Sequence, residues 1–382
     1  PQFHYNLKSY TKWSKNMSGN KLSSKIVGEE FLVLHEFAKK AKENLSKESW
    51  DYLIGAAETE TTFKRNRFAL DSLAFRPRVL RDVENIDLTT ELFNHKLRIP
   101  LILAPIGSMQ DFVDGAGVAP TIAAADFGIM HMTSSTCLPG FEEVAKSIDY
   151  PKLFQLYIRG NNDWVDDNIK KAMDYNYAGI CLTVDLDAYG RRERDLAKRY
   201  RTTSRQSASG FEHQMRFSWK DIDRIKSYCN LPIIIKGIAT AEDAVLAVEH
   251  GVEVVYVSNH GGRQLDYGLG GLKVLPEIVN AINGKSKIFF DGGIMRGTDV
   301  VKAMALGADI VGIGRLQGLA AGAGGAKAIF RMLELLELEI STCLRLLGVN
   351  SFKELNKSFL TNDNSFGNLD VLSSFPLLKE GY

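Results

Sequence analysis

A chain of 382 residues, 45% hydrophobic and 24% charged, has the composition of an ordinary globular protein and the length of one large α/β barrel or two medium domains. Its 47 Lys and Arg nearly balance 46 Asp and Glu, which excludes the basic excess of a nucleic-acid binder and leaves anion recognition to local placement. Cys137, Cys181, Cys229 and Cys343 form no C-x-x-C pair and have no His at zinc spacing, so they read as reduced, mostly buried thiols of a cytoplasmic protein with no metal site. The opening Pro1-Gln2-Phe3-His4-Tyr5 is not the basic-then-apolar pattern of a signal peptide, and no apolar run reaches membrane-spanning length.

Residues 1–75 read as an N-terminal helical cap, with helices over Glu29–Leu45 and Glu48–Ala57. Within 76–360, from Val118 onward, a short β-branched run, a polar or Gly-bearing turn and a helix-period segment recur. The strands predicted are Pro100–Ala104, Ile129–Thr133, Lys152–Ile158, Gly179–Asp185, Pro232–Gly237, Val254–Ser258, Ile288–Asp291 and Asp309–Gly314. Helical spacing recurs over Phe141–Ser147, Asp163–Asp174, Ala241–Glu249, Val274–Ile282 and Thr298–Ala305. Eight such strands predict a TIM (β/α)8 barrel; an open doubly wound sheet competes, but no G-x-G-x-x-G fingerprint supports it. After the fourth strand, Asp195–Phe217 carries Lys198, Arg199, Arg201, Arg205 and Arg216 among small polar residues. It is too long and polar for a plain connection and reads as a mobile lid, without the Trp, Leu and Phe face that membrane insertion requires. Residues 361–382, rich in Asn, Asp and Ser, read as a tail wrapping the surface.

Chemistry in a TIM barrel sits where strands end, so the strand tips are read together. In order they are Pro105-Ile106-Gly107, Ser134, Gln155 with Tyr157, Thr183 with Asp185, Lys236, Ser258 with His260, Asp291-Gly292-Gly293, and Gly314-Arg315. The most telling stretch is Ser258-Asn259-His260-Gly261-Gly262-Arg263-Gln264-Leu265-Asp266. It sets a neutral base beside a guanidinium with two glycines between them, which suits a substrate whose carboxylate adjoins the atom losing a proton. Gly292, Gly293, Gly314 and Arg315 offer close N–H groups and a guanidinium where this fold usually holds phosphate.

Over nearly its whole length the chain resembles the FMN-dependent 2-hydroxy-acid oxidase and dehydrogenase family, which includes glycolate and lactate oxidases and mandelate dehydrogenase. The resemblance rests on Phe75-Arg76-Pro77-Arg78, Phe154-Gln155-Leu156-Tyr157, Leu182-Thr183-Val184-Asp185, Gly190-Arg191-Arg192-Glu193, Ile235-Lys236-Gly237, Ser258 to Asp266, Asp291-Gly292-Gly293 and Gly314-Arg315. It implies FMN across the barrel mouth, with Pro105, Ile106 and Gly107, then Ser134, Gln155, Thr183 and Ser258 around the flavin ring. Asp291, Gly292, Gly293, Gly314 and Arg315 would then serve the phosphate end. Lys236 would favour the reduced flavin's negative charge. His260 would take the substrate proton with Asp185 orienting it, Arg192 and Arg263 would bracket the carboxylate, and Tyr52 and Tyr157 would complete the pocket. The resemblance further implies a small 2-hydroxy acid as substrate, oxygen or another electron acceptor, and a homo-oligomer, often a tetramer. The chain departs from the family pattern at Met295, where an Arg usually meets the phosphate, at Thr136 in place of a Trp, and at Tyr189 in place of a Leu. At Gly107, where many oxidases have Ala, the missing Cβ is expected to open room beside the flavin. Two rival readings are a flavin-free barrel aldolase or isomerase using Lys236 for a Schiff base, and an inactive scaffold.

Overall fold

Alternate residues in each apolar run turn to opposite faces, and in the computed structural model, which describes residues 30–363 and 370–381, this alternation builds a closed barrel. Its strands are β1 (Leu101–Leu103), β2 (Met130–Ser134), β3 (Leu153–Leu156), β4 (Gly179–Thr183), β5 (Ile233–Ile238), β6 (Val254–Val257), β7 (Lys287–Phe290) and β8 (Ile310–Ile313). All pair in parallel, and β8 closes on β1 with Val311 opposite Leu101 and Ile313 opposite Leu103. Ile102, Met130, Met132, Leu153, Cys181, Ile234, Val254, Tyr256, Phe289 and Ile310 fill the interior. Leu92 and Leu97 join them from a hairpin, Thr90–Leu92 with His95–Leu97, that plugs one end. Their neighbours Leu101, Phe154, Leu182, Ile235, Val255 and Val311 face the helices in the outer core.

The predicted strands are all present with ends displaced by one or two residues: β1, β3, β4, β6 and β8 are trimmed where polar tip residues leave the ladder, while β2 and β5 keep their length one residue later and β7 one residue earlier. Three cap helices follow one another: α1 (Leu34–Asn44), α2 (Lys47–Ile54) and α3 (Thr61–Asp71). The first starts later than predicted because the Glu36 carboxylate accepts hydrogen bonds from the Leu32 and Val33 amides and fixes the N-terminus there. Glu29 lies outside the described residues. The second ends at Ile54, not at Ala57, whose amide instead donates to Gly262 O at 3.0 Å.

Two long-range features tie the chain together. Strand Leu73–Phe75 pairs antiparallel with Leu360–Asn362, joining the end of the cap to the start of the C-terminal stretch. A helix over Arg315–Leu347 packs on α1 and is kinked at Gly324–Gly325, where Asn44 Nδ2 donates to the carbonyls of Gly322 and Ala323. The C-terminal stretch does more than wrap the surface: Phe375 is 1% exposed against the His35 ring, and Val371 lines the cavity at the barrel mouth. The lid segment is folded, with short helices at Glu193–Ala197, Thr203–Gln206 and Phe211–Arg216. Gln214, 1% exposed, stitches it down by accepting from the Ile158 amide and donating to Thr183 O.

Candidate active site

The alternation that fills the barrel also selects the site. Ser134, Gln155, Thr183, Lys236, Ser258 and Asp291 each stand two residues beyond an inward apolar side chain, so they are the next inward positions at the C-terminal ends of their strands. Above them, the chain leaves β6 through His260, Gly261 and Gly262, all with positive φ (56°, 64° and 75°). Gly262 must lack a side chain, since a Cβ would come 2.6 Å from the Phe63 backbone of α3. The turn is pinned from both sides. Asn66 and Asn259 exchange amide hydrogen bonds at 2.9 and 2.8 Å, and the Asp266 carboxylate caps α3 through the Thr62 amide at 2.8 Å.

His260 Nδ1 and Asp185 Oδ1 are 2.9 Å apart, which leaves Nε2 to face the cavity that His260 lines. Burial, with the nearby Lys236 and Arg192 charges, holds the imidazole below its ordinary 6.5 despite the opposing pull of Asp185. For Asp185, burial opposes ionisation but His260 and Lys236 prevail, keeping the carboxyl below its usual range. The pair therefore rests as neutral imidazole beside carboxylate. Tyr157 stacks over the His260 ring at 6.5 Å, and burial together with the Asp185 charge pushes its hydroxyl pKa up, keeping it a donor.

Two guanidiniums share the ring of Tyr52: Arg263 lies 4.4 Å and Arg192 5.7 Å from its centroid. Arg263 NH1 donates to the carbonyls of Tyr52 and Gly55, while its NH2 is buried without a partner. Arg192 is 4% exposed, bonded to the Tyr189 hydroxyl and to Gln264. Arg315 stands close by, donating to Gly261 O and Gly55 O with Nε unpaired, and burial plus the repulsion of Arg263 and Arg192 pushes it down to about 9. Buried cations that repel one another and keep donors free call for anions.

The cavity they line encloses about 1420 Å³, open mouth included, more than a small substrate alone requires. On its floor Lys236 Nζ donates to Ser258 Oγ at 2.8 Å and lies 3.4 Å from Asp291, which keeps it an ammonium even though burial pulls the other way. An ammonium so paired is not the free amine a Schiff base needs. The Ser258 hydroxyl, donating to Asp291 at 2.6 Å, is occupied with this pair, and Ser134, Gln155, Asp185 and Ser258 are not among the lining side chains. Both amide atoms of Gln155 and the Thr183 hydroxyl are buried and unpartnered, donors and acceptors suited to the polar edge of a flavin. Toward the other end Pro105, Ile106, Gly292, Gly293 and Gly314 line the wall, and a Cβ at Gly314 would meet nothing within 4 Å. That open glycine cradle beside Arg315 suits a phosphate, so the residues present fit FMN.

Two departures resolve in physical terms. Met295 lines the cavity but Arg296 does not: it pairs with Glu339 and reaches the Ser374 carbonyl, so it does not substitute for the missing phosphate-facing cation. Met295→Arg is therefore expected to tighten FMN by roughly tenfold, read as released flavin fluorescence on dilution into rising salt. Unchanged or weaker retention would show that residue 295 does not face the phosphate. At Gly107 the expected free room is filled, because a methyl there would run into the Thr136 hydroxyl. Gly107→Ala should cost about 1–3 kcal/mol in denaturant unfolding, recovered when Thr136→Ala is added. No recovery would refute the steric pairing.

Residues that sequence reasoning missed hold the site rather than line it: Asn66 and Asn259 at the turn, Gln214 under the lid, and Gln264, whose amide donates to Asp185 O and Ala188 O. Arg67 does line the cavity, buried in a bidentate pair with Asp299 at 2.8 Å and donating from NH1 to Gly293 O. Among the described residues no group of His, Cys, Asp or Glu could hold a metal, and no helix is long and apolar enough to cross a membrane.

Residues 41–362 match the family described as FMN-dependent dehydrogenase. An L-lactate oxidase from Nostoc sp. is 36% identical over 357 residues, 86% of this chain and 97% of that protein. The glycolate oxidase of Spinacia oleracea is 36% identical over 87% of this chain and 96% of its own length. Among solved structures, mandelate oxidase with benzoyl-formic acid superposes with a TM-score of 0.82 at 31% identity, covering 88% of this chain and all of that one. A mandelate oxidase variant with the C4a-OH-FMN adduct superposes at 0.80 with 30% identity, over 87% of this chain and 100% of that one.

Proposed function

Because the chain belongs to the FMN-dependent dehydrogenase family, we propose that it oxidises an L-2-hydroxy acid to the 2-oxo acid with His260 as the base. The observation that carries this reading is the neutral His260 imidazole bonded to the Asp185 carboxylate, beside the Arg263 guanidinium whose NH2 has no partner among the described residues, all buried at one barrel mouth. FMN, when bound, accepts the two electrons that the substrate gives up and passes them to oxygen or another acceptor.

The protein's own part is positioning and proton transfer. Arg263 and Arg192 hold the substrate carboxylate, and the Tyr52 ring beneath both keeps their forks in place. Tyr157 donates toward the substrate oxygen, and His260 Nε2 takes the proton. Asp185, bonded to Nδ1, stabilises the imidazolium that results. Lys236, held charged by Asp291, would offer a fixed positive charge to the reduced flavin's negative one. Thr183, with the unpartnered Gln155 behind the wall, would meet the flavin's polar edge, and Gly292, Gly293, Gly314 and Arg315 would receive its phosphate.

Self-association is supported by Leu265, Tyr267 and Leu269, which are 78%, 64% and 62% exposed in a single loop. Four unpaired cysteines fit a reducing compartment such as the cytoplasm. The deciding experiment mixes a panel of 2-hydroxy acids anaerobically with the purified holoenzyme, follows bleaching of the flavin, then admits oxygen. Failure of every L-2-hydroxy acid to bleach it would overturn the reading, and the reoxidation rate identifies oxygen or another acceptor as the partner.

A further inference from the structure

Among the described residues seven cationic side chains line the cavity against one carboxylate, Asp291. Asp299 pairs with Arg67 and Asp291 with Lys236, while the reading above assigns Arg192 and Arg263 to the substrate carboxylate and Arg315 to the FMN phosphate. Arg159 and Arg205 are left over. Neither forms an ion pair among the described residues; each is stacked on an aromatic ring instead. The Arg159 guanidinium, just past β3, lies 4.1 Å from the centroid of Phe211 in the lid and 5.5 Å from that of Tyr157. Among the described residues its only side-chain hydrogen bond is from NH1 to its neighbour's carbonyl at 3.3 Å, and its buried Nε has no partner there. Arg205 comes from the lid and lies 4.0 Å over Tyr189, the ring that also carries Arg192 at 4.2 Å.

Both surplus cations thus adjoin the tyrosines beside the carboxylate clamp, one from the barrel and one from the lid. The wall there also presents the hydroxyls of Ser108, Thr136 and Ser204. Acidic groups nearby do not neutralise them. Asp195 feels Arg263, Arg192, Arg205 and Arg194 together without bonding to any of their guanidiniums, and the exposed Glu212 faces His213 at 3.7 Å. Stacking occupies the flat face of a guanidinium and leaves its edge donors free for an anion.

We propose that the substrate side chain carries a second carboxylate, held between Arg159 and Arg205 beneath the lid, so that the acids oxidised are 2-hydroxy dicarboxylates. This rests on the oxidase reading and names its substrate class. A distal carboxylate there would bridge barrel and lid, so the same contact that selects the substrate would also close the site over it.

The test has two readouts on the holoenzyme. Binding without turnover is followed by flavin absorbance during titration with 2-oxoglutarate or oxaloacetate, against pyruvate or 2-oxobutyrate. The dicarboxylates are expected to bind roughly tenfold tighter or more. Arg159→Met and Arg205→Met should each lower dicarboxylate affinity about tenfold more than monocarboxylate affinity, and Arg159→Lys should keep part of the preference by keeping the charge. In anaerobic reduction the same variants should raise KM for malate or 2-hydroxyglutarate more than they lower kcat. Equal or tighter binding of the monocarboxylates to the unaltered protein, or a preference that survives in the double Met variant, would overturn the proposal. If no 2-hydroxy acid reduces the flavin, the oxidase reading fails, and the binding preference still decides whether the two arginines form a dicarboxylate site.

Discussion

Replacing His260 with Gln is expected to leave FMN bound and to slow flavin reduction by any 2-hydroxy acid by about 10²–10⁴-fold, the range a positioned general base supplies. The amide fills the imidazole's space and still faces Asp185, but it accepts no proton at neutral pH. The pH profile carries the same assignment. The proposed base must be a neutral imidazole, and the pKa of His260 is held below 6.5, first by burial and then by Lys236 and Arg192. Hence kcat/KM should hold steady as pH falls through 6.5 and drop only as it passes through the lowered pKa. Asp185→Asn removes the influence that raises this pKa, so the acid limb should move to still lower pH while the rate falls, because the imidazolium loses its counter-charge. Near-unchanged reduction by the His260→Gln protein would refute the base assignment, and an acid limb that rises in Asp185→Asn would refute the pairing.

Arg263→Met is expected to weaken substrate binding by about 2–5 kcal/mol, roughly 30- to 5,000-fold, the usual loss when one partner of a buried charge contact is truncated. Part of that loss is architectural, since Arg263 NH1 also holds the carbonyls of Tyr52 and Gly55 and so steadies the cap against the barrel. A substrate methyl ester separates the two effects. It lacks the charge that the proposed clamp of Arg263 and Arg192 requires, and it should be a poor reductant of the unaltered enzyme. Should the ester bleach the flavin as fast as the free acid, the clamp would be the wrong picture.

The barrel was legible because its strands alternate so regularly: Val254 and Tyr256 inward, Val255 and Val257 outward, with Ser258 next in register. Residues at such tips could be named from sequence because parity alone points them at the mouth. What was not legible depended on contacts between residues far apart in the chain. No local pattern announces that Asn66 will meet Asn259, that Gln214 will span two strand tips, or that Thr136 will fill the space Gly107 leaves. The third cap helix escaped separate notice because its start is capped by Asp266, about two hundred residues away in sequence. Val371 and Phe375 were hidden in a stretch whose polar composition points to the surface.

The ribbon joining Leu73–Phe75 to Leu360–Asn362 sets an order of events during synthesis. Helices α2 and α3 emerge early, yet the groups that seat them, from Gly262 to Asp266, come much later, and the strand that fastens their end comes later still. Closing so long a loop is slow, because its entropy is lost before the contacts that reward it exist. The end of the cap that carries Tyr52 is therefore clasped only once Leu360–Asn362 has been made. A ribosome-bound chain stopped before Leu360 holds every barrel strand but lacks the clasp that fastens the cap at Leu73–Phe75.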